Sequence, residues 1–184
     1  MARMARRTAL GLALVIVLAG TAFAQWSVDG KPAADLDFAK SDGAFRVSLF
    51  LTNDPEAFFE AWKKPKDPVQ VHGSNRAFRG KPIEAIVIFT NCQAGPDGLC
   101  DATVDFVLFR PDGSIYGKFE DAELWLKKPP PAIDAIQFGV QTMGVAIEPG
   151  DPDGRYRVEA TVRDKVRGST LQLTQPFWVG AKSQ

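Results

Sequence analysis

Residues of the types that commonly carry out catalysis are scarce in this 184-residue chain. It contains one histidine, His72, which stands in the polar segment VQVHGSN. A Ser-His-Asp relay would have to use this residue, and Ser74 is too near to it in sequence to be an obvious nucleophile. Residues 113–117 (GSIYG) lack the G-x-S-x-G spacing and follow a Pro-Asp-Gly turn. We therefore interpret His72 as an ordinary loop residue and predict no catalytic residues.

Carboxylates offer a second kind of chemistry. A glycan hydrolase needs only two acids at a suitable separation, so the sequence leaves this alternative open. Asp105 stands among apolar residues, and burial there would raise its pKa. The alternating pattern instead predicts that Asp105 points away from Val104 and Phe106, near a wet edge of the sheet.

Metal ligands follow no complete pattern. Glu148, Asp151 and Asp153 lie in IEPGDPDG, which has the Asp-x-Asp-Gly spacing with which a calcium loop begins. The later acidic ligands and the closing glutamate are missing, and the glycines and proline of this segment fit a plain turn. Zinc would require several His or Cys residues. We predict no metal and no cofactor.

The two cysteines, Cys92 and Cys100, enclose the turn-rich sequence QAGPDGL. In an oxidising compartment, such a close pair predicts a disulfide that joins the ends of a β-hairpin loop. The disulfide would also exclude a cysteine nucleophile. The alternative is a two-thiol metal site, and no further ligands lie nearby in the sequence.

The N-terminus has the three parts of a secretion signal. Three arginines precede an apolar run of twelve residues (9–20), and Ala22-Phe23-Ala24 forms a small-x-small cleavage site. The run is shorter than the ~20 residues that a membrane-spanning helix needs. We expect residues 1–24 to be removed and the mature protein, beginning near Gln25, to be periplasmic or secreted by a bacterium. An uncleaved membrane anchor is the alternative.

The balance of charged residues gives no reason to expect a nucleic-acid partner. The chain has 22 Lys and Arg residues and 22 Asp and Glu residues, and loss of the leader with its three arginines leaves a slight acidic excess. The basic residues are scattered, and no glycine-rich phosphate loop is present. We therefore expect no nucleic-acid partner, and no transmembrane segment after signal cleavage.

Alternation of apolar and polar residues predicts mostly short strands separated by Gly, Pro and Asp turns. One short helix is predicted from Pro55 to about Trp62, with Asp54 as its N-cap. This pattern is typical of one all-β domain at 43–180, preceded by a polar arm at 25–42. The predicted strands are 45–52, 83–89, 102–109, 114–119, 155–164 and 170–179, with one or two more in 133–141 and 143–148.

The run DPDGRYRVEATVRD, followed by LQLTQPFWV, resembles the last hairpin of exported bacterial immunoglobulin-like domains. The resemblance covers residues 151–179 and implies an immunoglobulin-like antiparallel β-sandwich, a fold found mostly in binding or structural modules. The sequence departs from antibody-type domains, because its cysteines are too close together to bridge two sheets.

Two tryptophans are candidates for a binding surface. Leu171, Leu173 and Phe177 share one side of the last strand, which places Trp178 on the other side, unless a bulge at Pro176 reverses the parity. Trp125 stands shortly before three consecutive prolines at 129–131, which form a stiff segment. The alternative is that each tryptophan packs under a loop or the helix. The predicted binding residues are Trp178, Trp125, Gln172 and Arg157.

The sequence thus favours an exported envelope domain, non-enzymatic, that binds another protein or a surface polymer. A carboxylate-based glycan hydrolase is the alternative, and a purely structural envelope domain is a third possibility. A hydrolase requires two converging acids in a cleft, whereas a binding domain requires a surface with exposed anchor residues.

Overall fold

A computed structural model describes residues 27–28, 31–32, 36–63 and 73–180. The expected signal peptide, most of the polar arm and His72 lie outside these residues. Within them the chain is mostly β-structure with one short helix, as the sequence predicted. No helix in this part of the chain has the length and apolar character needed to cross a membrane. The elements are β1 (Ser27–Val28), β2 (Lys31–Pro32), β3 (Ala39–Asp42), β4 (Phe45–Thr52), α1 (Pro55–Lys63), β5 (Arg76–Ala77), β6 (Pro82–Thr90), β7 (Cys100–Phe109), β8 (Ile115–Lys128), β9 (Gln137–Phe138), β10 (Met143–Ala146), β11 (Gly154–Asp164) and β12 (Ser169–Val179).

Two sheets form a sandwich. The first has the strand order β10-β6-β4-β3, with β9 also paired to β6. The second has the order β5-β12-β11-β7-β8. All pairs in the two sheets are antiparallel except that between β5 and β12, which is parallel. Strand β8 is longer than the sequence predicted, and the segment before β10 contributes only the two-residue strand β9.

The core lies between the inner faces of the sheets. Every second residue of the long strands points inward, as period-two alternation requires. Burying one of these large side chains contributes about 1.5–3 kcal/mol, so the core supplies the main driving force for folding. Tyr156 and Phe177 stack with ring centroids 5.5 Å apart. The largest fully buried side chains include Tyr156, Phe45, Phe89, Phe106 and Phe177.

The hairpin of β11 and β12 is the most regular part of the second sheet. Its register runs without interruption from Gly154 opposite Val179 to Asp164 opposite Ser169. Pro176 therefore causes no bulge in this pairing. Pro176 lies on the side of β12 that faces away from β11. Its neighbours on that side are Thr174 and Trp178, whose N–H groups donate to the carbonyl groups of Asp37 and Asn75. A residue without an N–H group is tolerated at such an edge position.

Helix α1 covers part of the outer face of the first sheet. The Asp54 carboxylate accepts the Ala57 N–H at 2.9 Å, which is the expected N-cap. Phe58 is 3% exposed, and its ring lies 5.4 Å from that of Phe50, which points outward from β4. Phe138 packs on the same helix. The outward aromatic residue on β4 explains the position of this helix.

The predicted disulfide between Cys92 and Cys100 is present, with the two Cα atoms 6.1 Å apart. The loop that it closes joins β6 of the first sheet to β7 of the second, so the expectation that it closes a hairpin within one sheet was wrong. Gly98 within the loop has a φ of 78°, a conformation that glycine adopts without a steric penalty. The buried Asp164 accepts the Gln93 N–H at 2.8 Å, which ties this loop to the β11–β12 hairpin.

Candidate binding surface

The outer face of the second sheet carries three of the four residues that the sequence selected for binding. Phe177 and Val179 are buried in the core, and Trp178 between them points to the outer face, where it is partly exposed. Gln172 is exposed on the same side of β12. Arg157 lies opposite Pro176 on the neighbouring strand β11.

Trp178 is flanked by two arginines. Antiparallel pairing places Arg155 of β11 directly opposite it, and parallel pairing places Arg76 of β5 on its other side. Ala77, next to Arg76, is buried in the core, so the Arg76 side chain points outward with Trp178. The Arg76 Nη2 group donates to the Gly180 carbonyl at 3.2 Å, which holds its side chain near the end of β12.

Arg157 belongs to a local network on this face. Its guanidinium lies over the Phe109 ring, 4.0 Å from the centroid, and its Nε donates to Glu159 Oε1 at 2.8 Å. A cation above an aromatic face is attracted by the ring quadrupole. Arg157 is thus already paired and oriented. We use the name Trp178 surface for Arg76, Arg155, Arg157, Gln172 and Trp178.

Asp105 lies farther along the same face, next to Thr161 on β11. The register between β7 and β8 slips between Val104 and Phe106, and the Asp105 carboxylate accepts the Asp121 N–H at 2.9 Å. Arg163 donates to its other oxygen at 2.6 Å. The Arg163 hydrogen bond lowers the pKa of Asp105, although partial burial opposes this effect. The carboxylate is therefore held ionised, which is the opposite of what a general acid requires.

Trp125 is not part of the Trp178 surface. Its ring packs 5.7 Å from that of Phe89, whose side chain lies in the core between the sheets. Its Nε1 donates to the Pro129 carbonyl at 2.9 Å, and the Lys128 ammonium lies 5.4 Å from the ring centroid. Trp125 therefore packs beneath its own chain, the arrangement that the sequence left open as an alternative.

The segment that resembled a calcium loop forms hydrogen-bonded turns. Asp151 Oδ2 accepts the Tyr116 hydroxyl at 2.6 Å and the Glu148 N–H at 2.8 Å, while Asp153 pairs with Arg79. The Tyr116 hydrogen bond lowers the pKa of Asp151, and the same bond raises the pKa of Tyr116. In the described part of the chain, no three His, Cys, Asp or Glu residues are placed to hold a metal ion.

The other shifted carboxyl groups also favour the ionised form. Hydrogen bonds from Ser169, Ser114 and Lys128 are the largest causes of these lower pKa values. The affected groups are Asp42, Asp112 and Glu123.

Two open grooves lie between the sheets, one at each edge of the sandwich. One, of about 470 Å³, separates β4 from β12, and the other, of about 490 Å³, separates β8 from β10. Gln175 of β12 points into the first groove beside Ser74 and Phe78. Neither groove has a carboxylate among its described lining residues.

Sequence reasoning missed Arg76. A two-residue strand with no apolar alternation gives no local signal of its partner, and its place beside Trp178 depends on pairing with a distant part of the chain. Arg155 could be assigned to the outer face from the alternation within β11, but its position opposite Trp178 required the hairpin register.

No family model and no curated protein matches this chain. Weak structural likenesses exist. A CARDB domain from Pyrococcus furiosus in complex with di-metal ions has 14% identity and a TM-score of 0.37, covering 78% of this chain and 90% of that one. A family 123 glycoside hydrolase from Clostridium perfringens has 11% identity and a TM-score of 0.41, with coverage of 75% and 28%. A Niemann-Pick type C2 protein from the Japanese carpenter ant has 12% identity and a TM-score of 0.36, with coverage of 72% and 89%. These are fold-level likenesses, and the functions of those proteins are not carried over to this chain.

Proposed function

We propose that this protein is an exported, non-enzymatic domain of the bacterial envelope that binds another protein or a surface polymer. The binding site is the Trp178 surface. The observation that carries this proposal is the position of Trp178 on the outer face of the second sheet, between Arg76 and Arg155.

The composition of the surface supports binding. Tryptophan and arginine are the residues most enriched among the anchors that dominate binding energy, especially where smaller polar residues surround them. Gln172 and Thr170 are exposed on the same face. The two outer faces also differ, because α1 covers part of the first sheet with an aromatic cluster.

The hydrolase alternative has less support. It requires two carboxyl groups about 5–10 Å apart on opposite sides of a bound sugar, one of them with a raised pKa. The described lining of the two grooves contains no carboxylate, and Asp105 has a lowered pKa. Neither the two grooves nor Asp105 therefore provides the acidic pair that a glycan hydrolase needs.

The test is crosslinking in intact cells, with Trp178→Ala compared with wild type. Loss of such an anchor costs about 2 kcal/mol or more of binding free energy, so we expect the crosslinked partner to be lost. Because the ring is partly exposed, the melting temperature should fall by only a few degrees. Ile133→Ala is the matched control, since Ile133 is 88% exposed outside this surface, and it should retain the partner.

A second variant protects the test against misfolding. Gln172 is exposed, so Gln172→Trp adds bulk to the surface without changing its charge or removing a core contact. It should also block the partner. If both folded variants capture the same partner as wild type, the Trp178 surface is not the binding site.

A further inference from the structure

We propose that the partner of the Trp178 surface presents an acidic protein segment, whose carboxylates pair with Arg76 and Arg155 on either side of Trp178. This inference rests on the proposed function for the surface itself and adds the chemistry of the partner. It follows from which arginines of the outer face have a carboxylate partner within the chain and which do not.

Two arginines of this face have carboxylate partners within the chain. Arg157 pairs with Glu159 at 2.8 Å, and Arg163 pairs with Asp105 at 2.6 Å. The first pair lies next to Arg155 along β11, where Arg157 also lies over Phe109, and the second involves Arg163 near the opposite end of that strand. Their charges are neutralised locally and contribute little attraction for a partner.

The arginines beside Trp178 differ from these. Both Arg76 and Arg155 are exposed, and no carboxylate of the described residues lies within 4 Å of either guanidinium. The nearby Asp153 is paired with Arg79. The end of the sheet around Trp178 therefore carries two positive charges that a ligand can neutralise.

The strand geometry sets the spacing of these charges. Arg76, Trp178 and Arg155 are adjacent across β5, β12 and β11, and neighbouring strands are about 4.8 Å apart. The two arginines therefore leave the sheet about 10 Å apart, with the indole between them. Each planar guanidinium can bind a carboxylate with two parallel hydrogen bonds, while the indole contacts the apolar part of the same ligand.

A protein segment fits this arrangement better than a long polyanion. Polyanion binding depends on many cations along a track or on a strongly basic domain, whereas this chain has equal numbers of basic and acidic residues. A compact set of one tryptophan and two arginines is instead the composition of a protein–protein anchor. The open face of a β-sheet also suits the broad contact that such interfaces make.

The test measures binding of a fluorescein-labelled dodecapeptide of alternating glutamate and alanine by fluorescence anisotropy, with the glutamine–alanine peptide as the uncharged probe. We expect the acidic peptide alone to bind, and more weakly as salt rises, because the Debye length shortens. Arg155→Ala and Arg76→Ala should each weaken binding about fivefold, in the range of exposed ion pairs. Lys81→Ala, which removes an equal charge at an exposed turn, should leave binding unchanged.

Three results would overturn the inference. The uncharged peptide could bind as well as the acidic one, or the arginine variants could bind the acidic peptide as Lys81→Ala does. Alternatively, polygalacturonate could bind through the two arginines while neither peptide binds, which would assign the surface to an anionic polymer.

The intact-cell crosslinking separates this inference from the proposed function. If Trp178→Ala loses the partner while both arginine variants crosslink it in the same yield as wild type, the surface binds a partner that is not acidic, and only this inference fails. If Trp178→Ala keeps the partner, the proposed function fails as well.

Discussion

Single side chains on the outer face of the second sheet have distinct roles. The Asp105 carboxylate replaces a regular strand contact, since it accepts the Asp121 N–H where the pairing of β7 and β8 slips. Arg163 holds the same carboxylate in its ionised form. Arg155 and Arg76 have no such internal partner among the described residues, and this difference is the basis for assigning them to a ligand.

The Asp105–Arg163 pair predicts a pH-dependent contribution to stability. The hydrogen bond from Arg163 lowers the pKa of Asp105 in the folded protein. A carboxyl group with a lowered folded pKa stabilises the protein above its unfolded pKa, about 3.9, and this contribution is lost as the pH falls through the folded value. We expect Asp105→Asn to lower the free energy of unfolding by about 1 kcal/mol at pH 7. The difference from wild type should shrink below about pH 4.

Urea denaturation over this pH range provides the measurement. Arg163→Gln should cause a similar loss, and the double variant should be less destabilised than the sum of the two single changes, because both remove the same interaction. Additive losses, or a difference from wild type that is constant with pH, would contradict the assigned pair.

At the scale of elements, the β11–β12 hairpin organises the surface and the disulfide loop supports it. The hairpin register places Trp178 opposite Arg155, and the buried Asp164 at the other end accepts the Gln93 N–H beside the disulfide. The Cys92–Cys100 bond therefore anchors the loop that joins β6 to β7 against the hairpin. It lies at the end of the hairpin opposite Trp178, so it stabilises the domain without forming part of the surface.

Removal of the disulfide should lower stability by a modest amount. Its cysteines are 8 residues apart in sequence, and the chain-entropy model gives about 2–3 kcal/mol for so short a loop. We expect Cys92→Ala/Cys100→Ala to lose this much unfolding free energy in urea denaturation and to keep its affinity for the acidic peptide. Reduced wild-type protein is the control and should lose a similar amount. Equal stability of the oxidised and reduced wild-type proteins would contradict this prediction.

At the scale of the whole molecule, the two outer faces of the sandwich differ. The first sheet uses Phe50 to seat the helix, with Phe58 buried and Phe138 packed beside it. The second sheet presents alternating arginine, threonine and glutamate side chains from β11. One face is thus devoted partly to internal packing, and the other carries the surface that we propose for a partner.

Export is a prediction about the whole chain that the described residues do not test. We expect mass spectrometry of the protein from the cell envelope to give Gln25, or its cyclised form, as the N-terminus, because Ala22 and Ala24 meet the requirement for small residues at a cleavage site. Ala24→Lys should accumulate uncleaved precursor, because a long charged side chain replaces the small residue at the cleavage site. Thr21→Ser, a conservative change just before the cleavage site, is the matched control and should be processed normally. Retention of Met1 or Met4 on the mature wild-type protein would contradict the prediction.

The sequence by itself determined the local features of this protein. Alternation in β4, β7, β11 and β12 predicted strands and their inward residues, and Asp54 followed by Pro55 predicted the start of the helix. The spacing of Cys92 and Cys100 predicted the disulfide. These features depend on residues a few positions apart, so local conformational preference and side-chain periodicity are enough to specify them.

Only the tertiary structure decided what surrounds Trp178 and Trp125. Arg76 reaches Trp178 through a parallel pairing between distant segments, and Trp125 reaches Phe89 across the core between the two sheets. The outward position of Trp178 was predictable, but its charged neighbours were not. The physical reason is that the order and register of strands from separate parts of the chain are set by packing of the whole core, which no local pattern encodes.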